Sequence, residues 1–168
     1  PERAMTVRDL MRHTSGLTYG FHHRTPIDAA YRRLRIAEMD TPGGLPVMID
    51  QIVSLPLEYT PGDAWIYSVA TDVLGYLVQL VSGQGCADFI RQKILIPLKM
   101  PDTDFVVPKS KADRFAACYL QGPHGLELFD AYPNENYFAP PRLESGGGGL
   151  AGTAADYLRF ARMLLNKG

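Results

Sequence analysis

A mainly helical fold with one small β-hairpin is what this sequence predicts, and three observations predict it. Three segments open on a threonine followed three positions later by an aspartate, at Thr6, Thr25 and Thr153. That pattern caps helix N-termini, because hydroxyl and carboxylate each accept an otherwise unpaired backbone N–H. Apolar residues recur at helical spacing between glycine and proline breaks. A single pair of short β-prone runs flanks a Gly-Pro turn, the signature of a hairpin.

The first box, Thr6-Val7-Arg8-Asp9, opens a short helix that buries Leu10 and Met11 and stops near Thr14-Ser15-Gly16, where Gly16 can take positive φ. Thr25-Pro26-Ile27-Asp28 repeats the logic with proline at the first helical position, and its helix is expected to run to about Met39. Thr41-Pro42-Gly43-Gly44 breaks the chain. Val47 to Ser54 predicts a helix with Val47, Ile49, Ile52 and Val53 inward, ended by Pro56. Val69 to Ser82 predicts a buried helix with Val73, Leu74, Leu77, Val78 and Val81 on its inner side. Gly75 within it costs roughly 1 kcal/mol relative to alanine, and close packing against a neighbouring backbone would account for it. Cys86 to Ile96 is a further amphipathic helix, closed by Pro97. Phe115 to Leu120 and Leu126 to Phe129 form the expected hairpin around Gln121–Gly125. A loop rich in proline and tyrosine spans Pro133 to Arg142, a four-glycine run follows at Gly146–Gly149, and Thr153-Ala154-Ala155-Asp156 opens a last helix toward Asn166.

At 168 residues the chain has the size of one domain, and residues 1–168 are read as a single domain. Its 46% hydrophobic and 21% charged residues are those of a globular protein. A net charge of −1 gives no footprint of a nucleic-acid surface, and Arg32, Arg33 and Arg35 read as the solvated face of a helix. No run of about 18 apolar residues predicts a membrane span. Cys86 and Cys118 read as two free thiols, and adjacent His22 and His23 make poor joint ligands, so neither a metal nor a cofactor is expected. The sequence specifies no localisation.

Chemistry concentrates around Trp65-Ile66-Tyr67-Ser68-Val69-Ala70-Thr71-Asp72. Pro61-Gly62 places a turn before Tyr67 and an apolar helix follows, which fixes a phenol at a helix mouth where it can face a cleft. Packing alone is the other reading of such a tyrosine. Ser68 lacks a surrounding G-x-S-x-G and reads as support for the helix start. His13-Thr14-Ser15 reads as a structural turn, with Ser15 or Thr14 bonding backbone groups. Gly146–Gly149 lacks the lysine of a P-loop and reads as backbone passing close to the cleft.

Four segments, in order, resemble the β-lactamase-fold serine hydrolases: T-V-R-D-L-M-R-H-T-S-G-L from Thr6, P-G-D-A-W-I-Y-S from Pro61, V-S-G-Q-G-C-A-D-F-I with the later I-P-L-K-M-P-D-T between Val81 and Thr103, and S-G-G-G-G-L-A-G-T-A-A-D-Y-L-R-F-A-R-M-L-L from Ser145. The variant Y-S-x-x-x-D-V-L-G is most similar to the family VIII carboxylesterases, which resemble class C β-lactamases and D-Ala-D-Ala carboxypeptidases. The sequence contains no S-x-x-K, the motif that carries the nucleophile in that family. The resemblance therefore implies an internal fragment: the helical insert domain of the β-lactamase/transpeptidase-like fold with its margins, the central sheet largely missing. It places S-x-x-K upstream of Pro1 and the closing H-x-G or K-T-G strand beyond Gly168.

The same resemblance implies that Tyr67, with the motif lysine, helps activate the serine, acting as a catalytic acid or base on a small-molecule ester or amide. Relatives that recognise penicillin usually carry asparagine two residues after this tyrosine. Here it is Val69, which has no donor or acceptor, and that favours esters. Trp65, Gly147 and Gly148 are the candidate substrate-binding residues. Trp65 with Tyr137 and Phe138 fits an acyl pocket, with core or loop packing as the equal alternative. A fragment without its nucleophile is expected to be inactive, and the surface meant for the missing sheet would be exposed and apolar, open to self-association. The alternatives are a non-catalytic β-lactamase-fold binding or scaffold module, and a β-lactamase or D-Ala-D-Ala carboxypeptidase.

Overall fold

The computed structural model describes residues 2–38, 40–130 and 137–168, with Asp130 described by its backbone alone. Their elements are α1 (Val7–Met11), α2 (Pro26–Arg33), α3 (Gly44–Val53), α4 (Ala70–Ser82), α5 (Cys86–Ile90), β1 (Cys118–Gly122), β2 (Gly125–Asp130) and α6 (Ala154–Leu165), with 3₁₀ turns at Gly20–His22 and Lys109–Arg114. The described residues are thus mainly helical, with one two-stranded antiparallel sheet among them. No single helix among the described residues is long and apolar enough to cross a membrane. The residues gather into two compact units: Pro1–Ile94 with Arg142–Gly149, and Leu95–Pro141 with Leu150–Gly168.

In the first unit both predicted capping boxes form. Thr6 and Asp9 exchange hydrogen bonds of 2.9 and 3.3 Å, and Arg3 grips the Asp9 carboxylate with both terminal nitrogens at 2.8 and 2.9 Å. Thr25 and Asp28 do the same at 2.8 and 3.1 Å, with Pro26 at the first helical position. Leu10, Tyr31, Leu45, Met48, Val69 and Leu143 lie at the heart of the core.

Several helix bounds and faces differ from expectation. Met11 is 68% exposed, because α1 ends there and the next residues turn away. The second helix stops at Arg33 rather than near Met39, which lies outside the described residues. A Schellman closure ends it: the Arg35 N–H donates to the Arg32 carbonyl at 3.1 Å and the Ile36 N–H to Tyr31 at 3.0 Å, with Arg35 left-handed at φ 56°. α3 starts at Gly44, after left-handed Gly43, and this sets a different face inward: Leu45, Met48 and Ile52 are buried while Val47 and Val53 are exposed. α4 matches its predicted span, but Val81 is 89% exposed at its last turn, and Asp72 and Gly75 lie buried. α5 continues as a wider π turn over Arg91–Leu95.

The close backbone packing expected at Gly75 is supplied by the four-glycine run. A Cβ on Gly75 would stand 3.1 Å from the Gly146 Cα, and one on Gly146 would collide with the Thr71 carbonyl oxygen. Helix and returning loop thus meet backbone to backbone.

In the second unit β1 and β2 pair across the two-residue Pro123-His124 connection, with Leu120 opposite Glu127 and an irregularity between Cys118 and Tyr119. The first strand begins at Cys118 rather than Phe115, whose N–H closes the preceding 3₁₀ turn. The loop expected over Pro133 to Arg142 lies partly outside the described residues, from Pro133 to Asn136. The third capping box forms by half. Thr153 accepts the Asp156 N–H at 3.3 Å, but the Asp156 carboxylate turns instead to the Asp102 N–H at 2.7 Å, the Thr103 hydroxyl at 3.0 Å and Arg159 at 2.5 Å.

Candidate active site around Tyr67

Tyr67 is positioned by a lacing of two loops in the first unit. Segment 58–69 runs beside segment 13–18, and four backbone N–H groups cross between them: Glu58 to the Gly16 carbonyl (2.8 Å), Gly62 to Thr14 (2.8 Å), Ile66 to His13 (2.9 Å) and Val69 to Thr18 (3.3 Å). Ser68 is fully buried; its N–H donates to Nδ1 of His13 at 3.3 Å and its hydroxyl accepts the Ala70 N–H at 3.4 Å. That is a helix-start role, as the sequence suggested, and it keeps the Ser68 hydroxyl out of solvent. Ser15 is likewise buried and its hydroxyl accepts the Leu17 N–H.

The Tyr67 ring remains 46% exposed and sits among other rings: His13 at 5.1 Å, Tyr19 at 5.2 Å and Phe21 at 6.4 Å between centroids. Its carbonyl accepts a hydrogen bond from Nε2 of His22 at 2.7 Å. These aromatic neighbours pack on a tyrosine that stays half-exposed. Trp65, 67% exposed, meets His13 edge-on at 6.1 Å, so it joins the same surface through that histidine. Tyr137 and Phe138 belong to the second unit and pack on Phe115, with centroids at 4.9 and 6.1 Å.

Behind the ring lies a polar group that the sequence reading passed over. Tyr19 donates its hydroxyl to Oδ2 of Asp72 at 3.3 Å, and Ser145 donates its own to Oδ1. Asp72 is 1% exposed. Burial first, and then the Asp72 charge, pushes the Tyr19 phenol above its usual value, so it keeps its proton. The Gly147 N–H donates to the Ser145 hydroxyl at 3.0 Å, and a Cβ on Gly147 would stand 3.3 Å from Oδ2 of Asp72 and 3.4 Å from the Tyr19 oxygen. Gly148 faces open space. Asp72 had a visible signal, since it closes the Y-S-x-x-x-D pattern, and Ser145 opens the last matched segment; Tyr19 had none.

No group of histidine, cysteine or acidic side chains among the described residues is arranged to hold a metal ion. Within the second unit a separate concavity is lined by Pro101, Asp102, Thr103, Lys111, Arg114 and Phe115. Asp102 there takes Lys111 at 2.7 Å and Arg114 at 2.9 Å, and although Pro101, Asp102 and Thr103 close one of the matched segments, none of the candidate site residues lines it.

The family model described as Beta-lactamase matches residues 1–168. The chain belongs to the β-lactamase family. Protein Rv1367c of Mycobacterium tuberculosis is 39% identical over 166 residues, covering 99% of this chain and 40% of that protein. Esterase EstB of Burkholderia gladioli is 32% identical over 175 residues, covering 94% and 44%. The solved structure of EstCE1, a hydrolase with promiscuous acyltransferase activity, superposes with a TM-score of 0.81 at 24% identity over 95% of this chain and 45% of its own, a likeness of fold. This β-lactamase-family chain therefore spans less than half the length of the relatives it matches.

Proposed function

We propose that this chain is the tyrosine-bearing part of a carboxylesterase-type serine hydrolase that acts through an acyl-enzyme on a small-molecule ester or amide. One observation carries the reading: a half-exposed phenol at the head of α4, held by aromatic neighbours inside a Y-S-x-x-x-D sequence. In the complete protein a serine hydroxyl would lose its proton to the Tyr67–lysine pair as Oγ bonds to the acyl carbon. The alcohol leaves with that proton, and water then cleaves the serine ester. Trp65, Gly147 and Gly148 would contact substrate. Val69 is fully buried as well as aliphatic, so it offers a substrate amide nothing, which favours esters over β-lactams.

On this reading the 168 residues form one internal segment of a longer protein, the helical insert domain of the β-lactamase/transpeptidase-like fold with its margins. The chain alone is inactive, because it has no S-x-x-K to supply a nucleophile. Hydrolysis of a short-chain p-nitrophenyl ester tests both halves. The chain alone gives no turnover above background. The complete protein turns over, and Tyr67→Phe lowers its rate by about 10²–10⁴-fold, the usual contribution of a general acid or base, without changing thermal stability. Full activity in a well-folded Tyr67→Phe protein would leave Tyr67 a packing residue. The missing motif is also what favours the second reading, a non-catalytic binding or scaffold module. A complete protein without S-x-x-K would decide for it.

A further inference from the structure

Asp72 holds its carboxylate out of water, and among the described residues no cationic side chain pairs with it. A buried carboxylate without a counter-charge is costly and calls for a reason. Its place in the first turn of α4 lets the helix dipole tolerate the charge, but that does not explain the donors gathered on it. An ionised carboxylate only accepts hydrogen bonds, so both hydroxyls that reach it must donate. Tyr19 therefore points its proton at Oδ2 and Ser145 at Oδ1. With its own proton committed, the Ser145 oxygen is left to accept, and it takes the Gly147 N–H at 3.0 Å. One negative charge thus sets the direction of every bond from the glycine run to the ring that packs on Tyr67.

We propose that Asp72 is a positioning residue: through Ser145 it fixes the Gly147 turn, and through Tyr19 it fixes the exposed face of Tyr67, so that substrate contact and proton transfer are aligned by a single buried carboxylate. This rests on the reading of Tyr67 and Gly147 as site residues. The absence of side chains at Gly146 and Gly147 belongs to the same device, because a Cβ at either would push the turn off α4 or off the carboxylate. The two arms have separable effects. The Tyr19 arm serves the reacting group and governs kcat; the Ser145 arm serves the substrate cradle and governs KM.

The test uses the complete protein that carries this chain, with p-nitrophenyl butyrate as substrate. Tyr19→Phe lowers kcat by on the order of 10²-fold, the scale of a small misplacement of reacting groups, with KM unchanged. Ser145→Ala raises KM and leaves kcat nearly intact. Asp72→Asn shows both effects, and the Asp72→Asn/Tyr19→Phe double variant loses no more kcat than either single one, because both cut the same connection. If Asp72→Asn does not fold, the split between Tyr19→Phe and Ser145→Ala carries the test. Wild-type kinetics in Tyr19→Phe, or fully additive losses in the double variant, would overturn the proposal. A second readout does not depend on turnover. A hydroxyl proton bonded to a carboxylate gives a slowly exchanging downfield NMR signal. Ser145 and Tyr19 each give such a signal; the Tyr19 signal is the one expected in the wild type and in Ser145→Ala, absent in Tyr19→Phe and moved upfield in Asp72→Asn. If the wild-type protein hydrolyses no ester, the catalytic reading fails and this signal still decides whether Asp72 holds Tyr19; its absence from the wild type refutes the arrangement.

Discussion

Asp28 has no solvent contact, yet it stays ionised. Burial pushes its carboxyl up, but the N–H groups of Arg24 and Thr25 and the Arg32 guanidinium outweigh that and bring it to about 2. Arg3 and Thr6 hold the Asp9 carboxyl lower still. A carboxyl depressed in the folded state contributes stability that is present above its unfolded value, 3.8, and lost as pH falls through the folded one. The melting temperature should therefore drop between about pH 4 and pH 2, and Asp28→Asn should lower stability at neutral pH while flattening that drop. Gly75 makes a second residue-scale prediction. Alanine would gain helix propensity, but its methyl group meets the Gly146 Cα at 3.1 Å and the Cys86 sulfur at 3.3 Å, and one of these is backbone. Overpacking of this kind costs about 1–3 kcal/mol, more than the roughly 1 kcal/mol of propensity gained. Gly75→Ala should lower the denaturation midpoint, and an unchanged or raised midpoint would show that the glycine run yields freely.

Helix starts and helix ends differ in how they are written. The starts at Thr6 and Thr25 were legible, because a capping box lies within four consecutive residues. The end of α2 was not, because its left-handed closing position is taken by Arg35 rather than by glycine, as His13, Lys99 and Lys167 take it at other turns. Each donates to a carbonyl three residues back, while the following N–H reaches five back. A basic side chain there suits the negative end of the helix dipole, which offsets part of the left-handed strain. Lys99, at φ 54°, allows a direct test. Lys99→Gly should be neutral or stabilising by up to about 1 kcal/mol, whereas Lys99→Val should destabilise, since a β-branched residue tolerates this conformation poorly. Thermal melts should place Lys99→Gly at or above the wild type and Lys99→Val below it. Tyr67 and its half-exposed position were legible for the same local reason as the helix starts. The Asp72 cluster was not, because its partners lie 53 and 73 residues away in sequence and no periodicity encodes a meeting at that distance.

At the scale of the molecule, apolar side chains remain uncovered: Val81 is 89% exposed, Leu165 82%, Val53 73% and Leu126 72%. Surfaces of this kind in a chain that spans 40% of a relative's length fit a body meant to be covered. The isolated chain should give a helix-dominated circular dichroism spectrum and should self-associate with concentration in size-exclusion chromatography with light scattering. A monomer at all concentrations would show that the exposed side chains are too scattered to act together. The course of the chain has a kinetic side as well. Leu143 is fully buried in the first unit, and the Glu144 carboxylate accepts the Ala87 N–H at 2.8 Å across 57 residues of sequence. During synthesis, the helices before Ile94 must wait for the whole excursion to Pro141 to emerge before their last core residue arrives. Loop closure over such a separation slows folding, and until then the cavity meant for Leu143 stands open to chaperones and proteases. A nascent chain stalled before Arg142 should be cut rapidly by protease, and one released after Gly149 should resist, so that the short return segment works as the latch on a door hung long before it.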